Sequence, residues 1–189
     1  MRWRALAASA TTAVALAAAA TTAASASSSN CANANRRVTP GDTAAMRAAV
    51  LCLVNQQRTS RHLPPLHASA RLTRSAQRWT NHMVASNTFA HGANFAARIT
   101  AVGYPWSAAG ENIATGFPTP HAVVTGWMRS TDHCRNILSP AYRNLGVGVS
   151  ARAVRGYASG PATWTQDFAL PRGAHPPSHN LRPASGCPY

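Results

Sequence analysis

The only glutamate in this 189-residue chain, Glu111, lies in a Gly-Glu-Asn-Ile run with a histidine some distance to either side. His91 lies in a Phe-Ala-His-Gly run, and His133 lies in a Ser-Thr-Asp-His-Cys run. Two neutral imidazoles can bind a divalent cation, and a carboxylate can be a third ligand, orient a bound water or act as a general base. The three residues therefore predict a site for polar chemistry without identifying a reaction.

Two catalytic alternatives use the same residues. Ser130 lies three positions before His133, so the two could approach on one helical face with Glu111 as the orienting acid. The chain has no Gly-x-Ser-x-Gly run, which a nucleophile elbow of that type requires. A glycosidase needs two carboxylates at a defined separation, and only Asp132 or Asp167 could partner Glu111 in such a pair. The sequence therefore commits no residue to catalysis.

The charge is strongly one-sided. Eighteen arginines, no lysine and four acidic residues give a formal net charge of +14. Such a protein is attracted to polyanions in a salt-dependent way, which favours anionic cell-wall polymers or lipid headgroups as partners. Nucleic acid is not expected, because the arginines are scattered and no basic run is interleaved with aromatic residues. Compositional bias in the genome is the alternative explanation of the arginine content.

The first residues are typical of a secretory signal peptide. Arg2 and Arg4 precede an apolar stretch, and an Ala-Ser-Ala cleavage signature ends at Ala26. We therefore predict a signal peptide over residues 1–26, an irregular segment over 27–41 and a secreted protein without a transmembrane segment. Removal of the signal peptide leaves roughly 160 residues, enough for one domain.

Export favours disulfide bonds among the four cysteines, which allow three pairings. The favoured pairing joins Cys52 to Cys134 and Cys31 to Cys187, since the latter bridge would tie together the two mature ends. A Cys/His metal site or a nucleophilic thiol is the less favoured alternative, because the cysteines lack Cys-x-x-Cys spacing.

Apolar periodicity and capping residues predict the elements that position these residues. Helices are expected over about 42–60, 69–86, 94–103, 119–129 and 132–138, and strands over about 107–116, 145–151 and 163–170. Asn55 and Arg58 of the first helix are expected to be polar groups that support loops. Helices followed by strands mixed with short helices indicate an α+β layered domain.

Five ordered motifs resemble one known family: Phe-Ala-His-Gly, Gly-Glu-Asn-Ile, the tryptophan-to-leucine run over 127–138, Asn-Leu-Gly-Val-Gly-Val and Trp-Thr-Gln-Asp-Phe. Together they are similar to the secreted bacterial branch of the CAP superfamily of cysteine-rich secretory, antigen 5 and pathogenesis-related 1 proteins. The resemblance implies a CAP domain over residues 42–170, folded as a three-layer α-β-α sandwich with a small antiparallel sheet. A Pro/His-rich tail would follow over residues 171–189.

The resemblance also implies a cleft with two histidines and two acids. His91 and His133 match the histidines and Glu111 matches one acid, but many members have a glutamate where this chain has Ser130. The expected function is a non-enzymatic extracellular binding module. Its cleft of His91, Glu111 and His133 would hold a small polar or lipidic ligand, or zinc or another divalent cation on His91 and His133. A secreted hydrolase acting on peptide or cell-wall substrates is the alternative.

Overall fold

The computed structural model of the protein describes residues 31–176 and Cys187. Its helices are α1 (Thr43–Thr59), α2 (Ala70–Ser86), α3 (Phe95–Ala101), α4 (Pro120–Met128) and α5 (Thr131–Ile137). Its strands are β1 (His67–Ala68), β2 (Trp106–Thr115), β3 (Asn144–Ser150) and β4 (Thr163–Pro171). Every predicted helix and strand is confirmed to within a few residues, and only the two-residue β1 was not predicted.

The predicted signal peptide lies outside the described residues, as does most of the predicted tail. Within the part of the chain that the structure describes, no helix has the length and apolar character that crossing a bilayer requires.

The helices begin where the sequence provides capping side chains. Ser69, Asn94 and Thr119 each accept a hydrogen bond from a backbone N–H in the first turn of α2, α3 and α4. Pro120 follows Thr119 as the first residue of α4, where a missing N–H costs nothing and the fixed φ suits a helix. These caps fix the starts of the helices on either side of β2.

The strands form one sheet in the order β1-β3-β4-β2. The strand β4 is antiparallel to both β2 and β3, and β1 pairs with β3 in parallel. The α+β class is therefore confirmed, with one correction to the expected antiparallel sheet. Because β1 contributes only two residues, no alternation could reveal it in the sequence.

The two long helices cover opposite faces of the sheet. Successive side chains of a strand point to opposite faces, and Leu145 and Val147 of β3 pack in one core with Val50 of α1. The residue between them, Gly146, lies directly beneath α2, and a Cβ built there would be 2.1 Å from the backbone carbon of Leu72. The helices α4 and α5 join α1 on the first face, and α3 joins α2 on the second, which gives the predicted three layers.

The backbone carbonyls on the outer edge of β2 are occupied by side chains. Their donors are the Tyr142 hydroxyl to Ala109, the Asn136 amide to Glu111 and the Trp127 indole to Ile113, at 3.2, 3.2 and 3.3 Å. The strand that carries Glu111 is therefore fixed from both sides, by β4 and by side chains of α4, α5 and the segment after α5.

Two polar residues of α1 hold the proline-containing loop that follows it, as predicted. Asn55 exchanges hydrogen bonds of 3.0 and 2.8 Å with the backbone of Leu66. Arg58 is fully buried and donates to the carbonyls of Pro64, Ile137 and Ser139, each at 2.8 Å. One guanidinium therefore ties the end of α1 to the loop and to the end of α5.

The predicted disulfide pairing is wrong. The structure joins Cys31 to Cys52 and Cys134 to Cys187, so Cys31 and Cys187 are each bonded to a helix and not to each other. The segment after Cys31 lies along the start of α4, where the carbonyl of Ala34 accepts from the N–H of His121 at 2.8 Å. This packing brings Cys31 to Cys52 on α1.

The stabilisation that a disulfide gives rises only logarithmically with loop length, so chain statistics could not select the pairing. On the chain-entropy account, the bridges that close separations of 21 and 53 residues contribute about 3 and about 4 kcal/mol.

Candidate functional site

Glu111 faces the layer formed by α2 and α3, and both of its carboxylate oxygens are engaged. His91 contacts one oxygen through Nδ1 at 2.9 Å, and Arg98 donates to the other. Because a carboxylate only accepts, His91 must carry a proton on Nδ1, and Nε2 is then the lone-pair nitrogen of the neutral ring. The Glu111 side chain is 1% exposed and the His91 side chain is 50% exposed, so a ligand in solvent would meet the histidine first.

Arg98 of α3 holds these two residues together. It donates through Nη1 to the carbonyl of His91 at 2.9 Å, and its guanidinium carbon lies 3.9 Å from the centre of the Trp79 ring. Gly92 has a φ of +74°, and a Cβ there would lie 2.7 Å from the Trp79 ring. Only glycine therefore lets the chain after His91 pass over Trp79 without strain.

His133 approaches from the other side of β2. The Asn112 side chain, one residue along from Glu111 and hence on the opposite face, donates to the carbonyl of His133 at 3.1 Å. Burial lowers the pKa of the half-buried His133, the charge of a protonated His91 lowers it further, and Asp132 acts in the opposite direction. The two imidazoles are thus electrostatically coupled across the edge of β2. We refer to the predicted ligand site of His91, Glu111 and His133 as the His–Glu cleft, and its capacity to bind a ligand stays a prediction.

This coupling predicts the titration of His133. We expect its imidazole to have a pKa below the ordinary value of 6.5, measured by NMR through its ring protons. The charge of His91 lowers the pKa of His133, so His91→Ala should raise that pKa. The charge of Asp132 raises the pKa of His133, so Asp132→Asn should lower it further. A pKa above the ordinary value, or shifts of the opposite sign, would contradict the proposed coupling.

A second carboxyl group lies against Glu111. Asp167 of β4 is the direct cross-strand partner of Glu111 and is buried, and its two oxygens lack a hydrogen-bond partner of good geometry among the described residues. Burial raises the pKa of Asp167, and the charge of Glu111 raises it further, to about 8, against the opposing influence of Ser75 and Arg98. Asp167 is therefore protonated at neutral pH, next to Glu111, whose two oxygens accept from His91 and Arg98.

The other two aspartates do not place a second carboxyl group beside Glu111. Asp132 is adjacent to His133 in sequence, but its side chain is 92% exposed and lies 3.7 Å from Arg135. Asp42 pairs with Arg36 near the start of α1. Ser130 precedes α5 and its hydroxyl makes no capping hydrogen bond, and its role as a nucleophile stays a prediction.

A three-ligand metal site does not fit the arrangement. Among residues 31–176 and Cys187, no three or more His, Cys, Asp or Glu side chains are placed to hold a metal ion. The physical reason is that His91 and Arg98 already occupy the two oxygens of Glu111. Binding of zinc or another divalent cation by His91 and His133 alone stays a prediction.

Sequence reasoning missed two residues of this site. Arg98 looked like one of many arginines, although it is the only charged residue of α3. Asp167 was considered only as a distant alternative, although an acid within an otherwise buried strand indicates a special environment. The half-buried Trp79 supports Arg98 at the edge of the site.

Comparison with known proteins identifies the class of fold. Residues 51–168 match the model of the Cysteine-rich secretory protein family, known as CAP, and the chain belongs to this family. The fold resembles an extracellular protein containing an SCP domain from Bacillus anthracis str. Ames, with a TM-score of 0.60 and 24% identity over 70% of this chain and 44% of that chain. It also resembles an outer surface protein from Borrelia burgdorferi, with a TM-score of 0.58 and 16% identity over 65% of this chain and 90% of that chain.

A relative with similar sequence is the uncharacterized protein YkwD of Bacillus subtilis (strain 168), which is 34% identical over 134 residues. The match covers 68% of this chain and 49% of that protein, so the chain spans about half the length of this relative. The predicted family is thereby confirmed, whereas the activity of the whole protein is not transferred.

Proposed function

We propose that the protein is an extracellular binding module that holds a small polar ligand in the His–Glu cleft and performs no hydrolysis there. The observation that carries this proposal is the double engagement of Glu111 by His91 and Arg98. A general base must present a free lone pair within hydrogen-bond reach of the proton that it removes. The Glu111 side chain is only 1% exposed and each of its oxygens already accepts from one donor, so its remaining lone pairs are poorly accessible to a substrate or water.

The remaining groups of the site also favour binding over catalysis. Asp167 is protonated at neutral pH because of its raised pKa, so it provides no second base. His133 is neutral, but Glu111 orients His91 and not His133. The imidazoles of His91 and His133 can donate to and accept from a polar ligand, or bind a divalent cation through a ring-nitrogen lone pair.

The overall charge supports an anionic environment for the protein. With a net charge of +14, the surface should concentrate the protein on anionic cell-wall polymers or lipid headgroups, with an affinity that falls as salt increases. We propose that this attraction places the module on the cell surface and that the cleft then selects its ligand.

The first test is sedimentation of the purified protein, disulfides intact, with cell-wall and lipid fractions at low and high salt. We expect salt-sensitive binding by every variant and a salt-resistant component that His91→Ala and His133→Ala remove. His121→Ala, which deletes an exposed imidazole from α4, should retain both. Salt-resistant binding that survives both cleft substitutions would contradict the proposal.

Two further assays separate a metal site and an enzyme from this proposal. Equilibrium dialysis with Zn²⁺, Ca²⁺ and Mg²⁺ compares the wild type with the same histidine variants, and equal uptake would exclude the two-imidazole cation site. Hydrolysis of cell-wall and peptide substrates should be absent. Turnover by the wild type that folded Glu111→Gln lacks would establish the hydrolase instead.

A further inference from the structure

A second concave site lies at the edge of the sheet opposite to β2, between α1 and α2. It has a volume of about 620 Å³, and its walls carry small side chains of the two helices, including Ala44, Ala48 and Thr73. Leu145 and Val147 of β3 form its floor. We call this depression the edge slot. It exists because β1 ends after two residues and leaves most of β3 without a neighbouring strand on this side.

The edge slot contains positive charge without a counter-ion. Arg47 lines it and donates to the side-chain oxygen of Gln77 at 2.7 Å, while its Nε atom is sealed from solvent and has no hydrogen-bond partner among the described residues. Burial lowers the pKa of Arg47. Arg74 is a second cation on the wall, and no acid lines the slot. A partly buried guanidinium without a counter-ion is costly in free energy and favours an anionic ligand.

At the edge of β3 that borders the slot, one residue has backbone groups without a hydrogen-bond partner in the described part of the chain. Val149 exchanges two hydrogen bonds of 3.0 Å with the Gln77 amide, and the carbonyl of Leu145 accepts from the N–H of Ser69 at 2.9 Å. Backbone groups of alternate residues in an antiparallel strand point to the same side. The N–H and C=O of Val147, between these two residues, therefore point toward the slot. One residue of an extended peptide could therefore form hydrogen bonds with these two backbone groups.

We propose that the edge slot binds the carboxyl-terminal end of a short peptide with small apolar side chains. Arg47 would hold the terminal carboxylate, the Val147 backbone would pair with the adjacent peptide group, and the alanines would leave room for small side chains. This combines strand addition with capture of a terminal carboxylate. An acyl chain could use Arg47 but would leave the Val147 backbone unpaired. The site is separate from the His–Glu cleft and does not depend on the function proposed for it.

The test uses the purified full-length mature protein with its disulfides intact and N-acetyl-trialanine as the probe, monitored by calorimetry and by the amide NMR signals of Val147 and Gln77. We expect the free acid to bind and its C-terminal amide to bind roughly tenfold more weakly or worse, because the carboxylate–Arg47 pair is lost. Arg47→Met should cause a loss of similar size. Ala48→Leu, which adds volume at an exposed helical position, should block the slot without unfolding the protein.

Two controls make the result specific. Arg78→Gln removes the same charge from an exposed position of α2 and should leave binding unchanged, and His91→Ala should also have no effect. Equal binding of acid and amide, unchanged binding by Ala48→Leu, or equal loss in Arg78→Gln would overturn the proposal. Octanoate binding as tightly as the peptide would also overturn it, since that ligand cannot pair with the Val147 backbone.

Discussion

We expect Asp167→Asn to stabilise the protein at neutral pH and to remove a large part of the pH dependence of its stability. The folded pKa of Asp167 is raised to about 8, whereas an unfolded aspartate titrates near 3.9. Between these values the folded state binds more protons than the unfolded state, so the free energy of unfolding falls as pH rises. The limiting slope is about 1.4 kcal/mol per pH unit, which amounts to several kcal/mol by pH 7.

Asparagine is close in shape to a protonated aspartate and cannot ionise. The variant should therefore match the wild type near pH 4 and exceed it increasingly up to about pH 8, as measured by urea unfolding across this range. Asp132→Asn is the matched control, because it makes the same change at an exposed carboxyl, and it should show no such divergence. Parallel curves for both variants would show that Asp167 is ionised in the folded protein.

Arg58→Met should destabilise the protein by about 3–5 kcal/mol, the size typical of breaking a buried polar network by removing one partner. The substitution keeps an apolar side chain of similar length but leaves the carbonyls of Pro64, Ile137 and Ser139 without their donor. Burying the charged guanidinium costs the wild type some stability, because desolvation lowers the pKa of Arg58 to about 10. Removing the charge therefore offsets part of the loss. Three charge-assisted hydrogen bonds outweigh that cost, since each contributes about 1.5–3 kcal/mol.

Thermal unfolding with the disulfides intact measures this effect. For a domain of this size, we expect a decrease in Tm of about 10 °C. Arg61→Met removes the same charge from a side chain that, among the described residues, bonds only to Gln57 and Ser60, and it should change stability by less than about 0.5 kcal/mol. If the two variants unfold at the same temperature, water must replace Arg58 at the three carbonyls.

The elements of the fold could be predicted because their signals are local. Ser69, Asn94 and Thr119 cap helices whose apolar periodicity begins immediately after them, and the alternation in β3 and β4 is visible in the sequence. The strand β1 could not be found, since two residues have no period. The disulfide pairing failed for another reason. It depends on where Cys31 and Cys187 lie relative to α1 and α5, and spacing along the chain carries no information about that placement.

The candidate site was predicted in part. His91 and Glu111 are in contact as expected, and His133 is near enough to sense the charge of His91. Arg98 and Asp167 were missed because their roles depend on the pairing of β2 with β4 and on the docking of α3. A sequence shows which side chains are scarce, but only strand register shows that Asp167 lies opposite Glu111.

Occupied sheet edges have a consequence for the behaviour of the protein at high concentration. Exposed strand edges are templates for cross-β assembly between chains. Here, Tyr142, Asn136 and Trp127 occupy the edge carbonyls of β2, and Gln77 occupies both backbone groups of Val149 on β3. An invading strand could pair with the backbone of Val147 but would have to displace these donors at the neighbouring positions, so the native domain should resist amyloid-like polymerisation.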